Sequence, residues 1–196
     1  MKRIFTAIDI SDSVRQKISI YIEDLRREFS NVRVGWDKPE KLHLTLKFLG
    51  DIDEKRLVIL SEAVETTASR ISNFNLQIKD TGVFPSKKNG RILLLGVKGE
   101  TEILQTLNEI LENECQRNAF AKETRNFKPH LTIARLREPR KSKELVARHL
   151  QNEFESNEFE ASEITIYESH LQKSGSIYRK VSGFELNQTP NLKPET

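Results

Sequence analysis

The chain has few of the residues that would cross-link it or hold it in a membrane. Of its 196 residues only Cys115 is a cysteine, which excludes an internal disulfide. No apolar run of about 18 residues occurs, so a transmembrane helix is excluded. The first residues lack the apolar core and the cleavage site of a secretion signal. Together these absences predict a protein of the reducing cytoplasm with no membrane partner.

An excess of one charge is also missing. The chain has 32 Lys and Arg against 29 Asp and Glu, a formal net charge of +3. This excess permits an anionic ligand but is too small to drive non-specific binding to nucleic acid. The length suits one sizeable domain, and we expect a monomer with a single bilobal domain over residues 1–186. Residues 187–196 are polar, contain two prolines and are predicted to be a disordered tail.

Two short strings repeat one pattern: His43-Leu44-Thr45-Leu46 and His130-Leu131-Thr132-Ile133. In a β-strand the histidine and threonine of each string would project from one face and the apolar residues from the other. The chain has only four histidines and twelve threonines, so chance would give two such matches roughly 2% of the time. Two ordinary half-buried strands with a histidine on the wet face are the alternative. We interpret the pair as a duplicated half-site.

The other two histidines lack this context. His149 lies in a stretch with helical spacing, and His170 precedes a turn that contains glycine. Neither has a partner in the sequence, so both are predicted to lie at the surface. Cys115 also falls in a helical stretch, where core packing is the expected role of a buried thiol.

Hydrophobic periodicity predicts an α+β chain. Helices are expected over residues 14–29, 53–71, 101–120 and 142–154. Strands are expected over residues 4–10, 32–36, 41–49, 74–79, 91–97, 127–134, 159–171 and 178–186. This order predicts two pseudo-symmetric lobes whose antiparallel sheets line a central cleft, with the helices packed outside.

Strand alternation also sorts the neighbours of the two strings. Lys47 shares the alternation of His43 and is expected to face the groove. Arg135 falls on the opposite face and reaches the groove only if its strand ends, twists or bulges; a solvated strand-end arginine is the alternative. The residues expected to pack against helices are Leu42, Leu44, Leu46 and Phe48 in the first strand, and Pro129, Leu131 and Ile133 in the second.

Several segments together resemble one family. They are residues 3–9, Trp36, and residues 42–50, 82–85 and 127–135. With them the chain resembles the two-histidine (2H) phosphoesterase superfamily and, within it, the RNA 2′,3′-cyclic phosphodiesterases, also called 2′-5′ RNA ligase-like proteins. The resemblance implies a sheet-lined cleft with a pseudo-two-fold axis. It also implies that RNA ends bearing a 2′,3′-cyclic phosphate are opened to a 2′-phosphate without metal or cofactor, and that the reverse reaction would join 2′-5′ RNA ends.

The resemblance also implies roles for individual residues. His43 would be the proton donor and His130 the proton acceptor, with Arg135 near the phosphate. The residues themselves agree, because a neutral imidazole can take a proton from water while an imidazolium protonates the leaving oxygen. The hydroxyls of Thr45 and Thr132 can donate hydrogen bonds to phosphate oxygens.

Two other functions compete with this one. A hydrolytic metal site would need more ligands, and neither string has a carboxylate two residues on, nor does the chain contain His-Glu-x-x-His. A non-catalytic RNA or nucleotide-binding module would need aromatic and basic residues but no matched histidines. Phe84 fits either function, since its ring can stack on a base or anchor a loop.

Overall fold

Four helices and nine strands make up the part of the chain that the computed structural model describes, residues 1–172 and 175–188. The helices are α1 (Asp12–Glu28), α2 (Glu54–Ala68), α3 (Thr101–Arg117) and α4 (Lys143–Gln151). The strands are β1 (Lys2–Asp9), β2 (Val34–Trp36), β3 (His43–Ile52), β4 (Phe74–Phe84), β5 (Ile92–Gly99), β6 (His130–Leu136), β7 (Glu155–Ala161), β8 (Glu163–Gln172) and β9 (Gly175–Glu185).

The strands form two antiparallel sheets. One has the order β3-β1-β8-β9 and the other the order β2-β6-β5-β4-β7. The two halves of the chain exchange strands, because β8 and β9 join β1 and β3 in one sheet while β2 and β4 join β5, β6 and β7 in the other. This exchange interlocks the halves, and the predicted α+β class with paired antiparallel sheets is confirmed.

The helices pack on the outer faces of the sheets. Helices α2 and α3 lie against the four-stranded sheet, and α1 and α4 lie against the five-stranded sheet. In α1 the apolar residues recur every three or four positions, and these make up its buried face: Val14, Ile18, Ile22 and Leu25. The Ser11 side chain accepts the N–H of Val14 and caps the first turn. The other face of each sheet is left for the cleft.

Strands β3 and β6 each contain a β-bulge three residues after their histidine. In β3 the extra residue is Leu46, where the pairing with β1 shifts by one. In β6 the extra residue is Ile133, where the pairing with β5 shifts in the same way. A bulge places two successive side chains on one face, so the inward and outward alternation is inverted beyond it.

The bulge in β3 corrects two predictions. Lys47, expected in the groove, lies on the helix side with only 5% of its surface exposed. Phe48, expected in the core, is 68% exposed and pairs with Phe5 on the cleft face. Simple alternation fails here because Leu46 and Lys47 both point toward the helices.

Two strand predictions also change. The single strand expected over residues 159–171 is two strands, because β7 belongs to the five-stranded sheet and β8 to the other. The strand expected to end at Lys79 continues through a bulge to Phe84. Gly82 lies inside this longer β4, where an added Cβ would meet a Leu94 methyl at 2.6 Å. The glycine serves close strand packing here.

The surface position predicted for His149 is wrong. Its side chain is fully buried, with Nδ1 accepting from the Tyr21 hydroxyl at 2.8 Å. Its Nε2–H donates to the carbonyls of Gly82 and Leu94 at 3.0 and 3.1 Å. Burial lowers the pKa of His149, so the neutral imidazole ties α4 and α1 to the sheet. His170 is exposed, as predicted.

The C-terminal end of the described chain is ordered. Asn187, which the sequence prediction placed in the tail, forms a β-bridge with Ser72. The rest of the predicted tail, from residue 189 onward, lies outside the described residues. None of the helices described is long and apolar enough to cross a membrane.

Candidate active site

His43 is held by its own strand. Its Nδ1–H donates to the Lys41 carbonyl at 2.6 Å, which leaves Nε2 as the nitrogen that faces the cleft. The Thr45 hydroxyl lies 3.0 Å from Nε2 and donates to it when the ring is neutral. The ring also stacks on Phe5 with centroids 4.9 Å apart. The imidazole is therefore fixed in both tautomer and orientation.

His130 repeats this arrangement on β6. Its Nδ1–H donates to the Lys128 carbonyl at 2.7 Å, again a carbonyl two residues earlier. The ring makes a T-shaped contact with Phe84, with centroids 5.1 Å apart. Phe84 therefore lies beside the second histidine, and in both strings Nδ1 is held by a backbone carbonyl while Nε2 is not.

The two histidine strands meet where the sheets approach each other. Cα atoms of β3 and β6 come within 8 Å of one another. The segment before β3 crosses this junction, because the Asp37 N–H donates to the Ile133 carbonyl at 2.9 Å. The histidine faces of the two strands thus border one cleft.

Arg135 lies in this cleft because of the bulge in β6. Beyond Ile133 the alternation inverts, and the guanidinium of Arg135 donates to the Asp37 carboxylate at 2.8 Å. The Arg135 side chain remains half exposed, while that of Asp37 is largely covered. Burial raises the pKa of Asp37, and the positive charge of Arg135 opposes that rise.

Lys47 is not a cleft residue. Its ammonium donates to both Glu112 carboxylate oxygens, at 2.8 and 2.7 Å, and to the Ala121 carbonyl at 2.9 Å. Because Glu112 is on α3, the ion pair ties the β3 bulge to the helix behind it and to the chain that leads toward β6. Lys47 contributes to structure rather than to the cleft surface.

Sequence reasoning missed the aromatic residues that surround His43. Tyr167 stacks on Phe5 with centroids 5.4 Å apart, and Tyr178 makes T-shaped contacts with Phe5 and His43, with centroids 4.9 and 5.3 Å apart. These tyrosines come from β8 and β9, whose pairing with β1 cannot be seen in the local sequence. For Phe5 the sequence carried a weak signal of a position on the cleft face, because strand alternation places it on the same face as Arg3.

Asp9 was also missed, although it pairs directly with His43 across β1 and β3. Its carboxylate accepts the Tyr167 hydroxyl at 2.8 and 2.9 Å and the Thr165 hydroxyl at 3.2 Å. Burial and this hydrogen bond raise the pKa of Tyr167, which therefore stays a donor. The corresponding neighbour of His130 on β5 is Gly96, so the two half-sites differ here.

The environment of His43 favours the neutral imidazole in the free protein. Burial lowers the pKa of His43 to about 4, while the Lys41 carbonyl and the Asp9 carboxylate oppose that change. The charges of Arg15 and Arg135 lower the pKa further. Among the described residues, no group of three or more His, Cys, Asp or Glu side chains is arranged to hold a metal ion.

Comparison with protein families gives this geometry a context. The family described as LigT like Phosphoesterase matches the chain twice, over residues 8–94 and 95–178. The chain belongs to this family. Membership places it among the 2H phosphoesterases, and the prediction of a phosphoesterase enzyme is confirmed. Each match contains one of the two histidine strings.

Curated relatives of this LigT-like phosphoesterase match over most of its length. A protein of Methanothermobacter thermautotrophicus named RNA 2′,3′-cyclic phosphodiesterase is 33% identical over 187 residues, covering 94% of the chain and 98% of the relative. A protein of the same name from Thermotoga maritima is 34% identical, covering 90% of the chain and 91% of the relative.

Solved structures share the fold. The protein TT0787 of Thermus thermophilus superposes with a TM-score of 0.77 at 23% identity, covering 94% of this chain and 97% of that one. Escherichia coli LigT complexed with 3′-AMP gives a TM-score of 0.75 at 23% identity, covering 95% and 99%. The predicted sheet architecture is thus shared with these solved structures.

Proposed function

We propose that this phosphoesterase hydrolyses terminal 2′,3′-cyclic phosphates of RNA to 2′-phosphates through acid–base catalysis by two histidines, without a metal or other cofactor. The observation that carries the proposal is the matched pair His43 and His130, each with Nδ1–H held by the carbonyl of the residue two positions earlier, which leaves Nε2 for proton transfer. The activity named for the relatives supplies the substrate class.

The proposed reaction is an in-line displacement at phosphorus. Nε2 of neutral His130 takes a proton from water as the water oxygen attacks. The bond from phosphorus to the 3′ oxygen breaks, and Nε2–H of protonated His43 gives its proton to that oxygen. The product carries a 2′-phosphate and a 3′-hydroxyl. The two histidines exchange protonation states and return to the start by exchange with water. The same displacement, with the 5′-hydroxyl of a second strand attacking in place of water, would form a 2′-5′ bond and release the 3′ oxygen.

The difference between the half-sites supports this assignment of acid and base. Asp9 lies across from His43, and its negative charge favours the imidazolium that a proton donor requires. His130 has Gly96 at that place and no carboxylate there. This difference supports a proposal in which the acid is on β3 and the base on β6.

The negative charge of a bound substrate would favour the protonated form of His43, which the proposed acid requires. In the free protein burial lowers the pKa of His43 to about 4, so a proton donor needs a further negative charge. A phosphate between the strands supplies that charge and also neutralises part of the opposing field of Arg135. The Thr45 hydroxyl, which donates to His43 in the free protein, is then released to donate to a phosphate oxygen.

The guanidinium of Arg135 and the hydroxyls of Thr45 and Thr132 would bind the non-bridging oxygens of the substrate phosphate. Thr45 and Thr132 lie on the faces of their histidines, and Arg135 adds a half-exposed guanidinium. Fixed donors of this kind stabilise the charge that builds up on phosphorus oxygens in the transition state.

The test is product analysis with a cyclic-phosphate-ended oligonucleotide. Chromatography against authentic 2′- and 3′-phosphate isomers should show the 2′ isomer alone. A pure 3′-phosphate product would refute the proposed substrate pose. Binding of the oligonucleotide without turnover would instead favour a non-catalytic RNA-binding module.

A further inference from the structure

Phe48 is an exposed aromatic ring on the wall of the catalytic cleft. It is 68% exposed, and every other aromatic side chain in residues 1–172 and 175–188 is buried or partly buried. It pairs across strands with Phe5, and the two ring centroids are 5.8 Å apart. Since Phe5 stacks on His43, Phe48 belongs to the histidine face of the sheet.

This exposure is built into the strand. Without the bulge at Leu46, simple alternation would turn Phe48 toward the helices, where its ring would be covered. The buried pair Lys47–Glu112 anchors the residue next to it at 2.7 Å. The protein therefore holds an apolar ring in water at a fixed place beside its catalytic groups.

A cation lies on the same face. Arg3 is two residues before Phe5 on β1, is exposed, and acts electrostatically on Tyr178, which contacts Phe5. Within the described part of the chain it forms no ion pair, including with its cross-strand neighbour Asp51. An exposed ring beside a free guanidinium is the combination that proteins use to bind single-stranded nucleic acid.

We propose that Phe48 and Arg3 form a subsite for the nucleotide on the 5′ side of the cyclic-phosphate end. The base of that nucleotide stacks on Phe48, and the internucleotide phosphate lies beside Arg3. This inference rests on the proposed function, because the position of the RNA end between His43 and His130 sets the direction of the strand.

The spacing along β3 suits a second nucleotide rather than the first. Phe48 is five residues from His43, and the bulge absorbs one, so the two Cα positions are about 13 Å apart along the strand. The terminal nucleoside must lie at the histidines, where Phe5 and the tyrosines already cover the wall. A stacking ring further along is left for the next base, and stacking would accept any base.

The experiment compares two substrates that differ only in this nucleotide. Turnover is measured with a nucleoside 2′,3′-cyclic monophosphate and with a dinucleotide that ends in the same cyclic nucleotide. Phe48→Ala should raise the KM for the dinucleotide about tenfold and leave the mononucleotide unchanged. Phe48→Trp should retain dinucleotide binding. Ile177→Ala is the matched control, because this exposed residue lies next to Tyr178 on the opposite face of the same sheet.

An abasic upstream position separates stacking from charge. A dinucleotide without the upstream base should bind the natural protein as weakly as the complete dinucleotide binds Phe48→Ala, and Phe48→Ala should weaken it no further. Arg3→Ala should weaken binding of both forms and should reduce the salt dependence by about 0.7 in log–log slope, as expected for the loss of one phosphate contact.

Calorimetry with 2′-phosphate-ended nucleotides repeats the comparison without turnover, so a failure of the proposed reaction does not obscure it. A larger loss for the dinucleotide in Phe48→Ala supports the subsite. Equal losses for both ligands, or no loss for either, would overturn it.

Discussion

Phe48 on β3 and Arg135 on β6 occupy matching positions, each five residues after a histidine and just beyond a bulge. The same backbone irregularity has brought an apolar ring into the cleft on one side and a guanidinium on the other. The pair His43 and His130 is nearly symmetric, whereas Phe48 and Arg135 differ in chemistry. A difference of this kind gives the cleft a direction along which an asymmetric substrate such as an RNA end can bind.

Replacing either histidine of the cleft should greatly lower the catalytic rate and change the stability of the fold only a little. His43→Ala and His130→Ala are expected to lower kcat by at least about 100-fold each, since general acid–base catalysis supplies roughly 10²–10⁴. Thermal unfolding should show that both variants fold. His170→Ala is the control, because that histidine is exposed and outside the cleft. A near-normal rate in either cleft variant would contradict the proposed pair.

Arg135 should act on phosphate rather than on the fold. Arg135→Ala is expected to reduce kcat/KM about 100-fold, as loss of a fixed donor to a developing oxyanion does. Arg135→Lys should recover part of the loss, because the charge returns without the forked geometry. Arg140→Ala, an exposed arginine on the same segment, should have little effect. Equal effects of the Arg135 and Arg140 substitutions would indicate general charge attraction instead.

Lys47 should matter for stability. Its side chain is 3% exposed and that of Glu112 is 14% exposed, so Lys47→Met leaves a nearly buried carboxylate without its partner. The expected cost is about 3 kcal/mol in the free energy of unfolding, measured with urea. Lys47→Met combined with Glu112→Leu should recover much of it.

A surface pair gives the control for this measurement. Arg26→Met breaks an exposed ion pair with Glu23 and should change stability by less than about 0.5 kcal/mol. If Lys47→Met is equally mild, the buried pair does not anchor the bulge as described.

Features that depend on neighbouring residues could be predicted from the sequence better than features that depend on pairing between distant segments. The shared face of His43 and Thr45 follows from alternation alone, which needs no knowledge of neighbouring strands. The exposure of Phe48 depends on one extra residue in the pairing with β1, and local sequence does not reveal such a bulge. Asp9 and Tyr167 join the site only through strand pairing between distant segments.

One missed feature did have a local signal. His149 recurs with Leu145 and Val146 at helical spacing, so it falls on the buried face of α4. The prediction treated His149 as a polar surface residue, but a neutral imidazole with three hydrogen-bond partners is stable in a core. Where a histidine shares the apolar stripe of a helix, burial is the better prediction.

The low pKa of His43 should make the stability of the free protein depend on pH. In the free protein its pKa of about 4 lies below the unfolded value near 6.5, so the unfolded state binds more protons between these values. Stability should therefore fall as the pH drops from 6.5 toward 4, by up to about 3 kcal/mol from this group. Burial of His149 acts in the same direction.

Proton NMR of the imidazole resonances measures this directly. In the free protein His43 should remain neutral down to about pH 5, and a bound 2′-nucleotide should raise its pKa. The rate should then depend on pH as a bell with a near-neutral optimum. An unshifted His43 in the free protein, or no change on binding the nucleotide, would contradict the account of the acid.

Hydrolysis in excess EDTA tests the central claim most directly. A cyclic-phosphate-ended oligonucleotide should be opened to the 2′-phosphate at the same rate with and without the chelator, because His43 and His130 provide both proton transfers. His43→Ala and His130→Ala should be inactive in the same assay. Loss of activity in EDTA that is restored by a divalent ion would contradict catalysis by the two histidines alone.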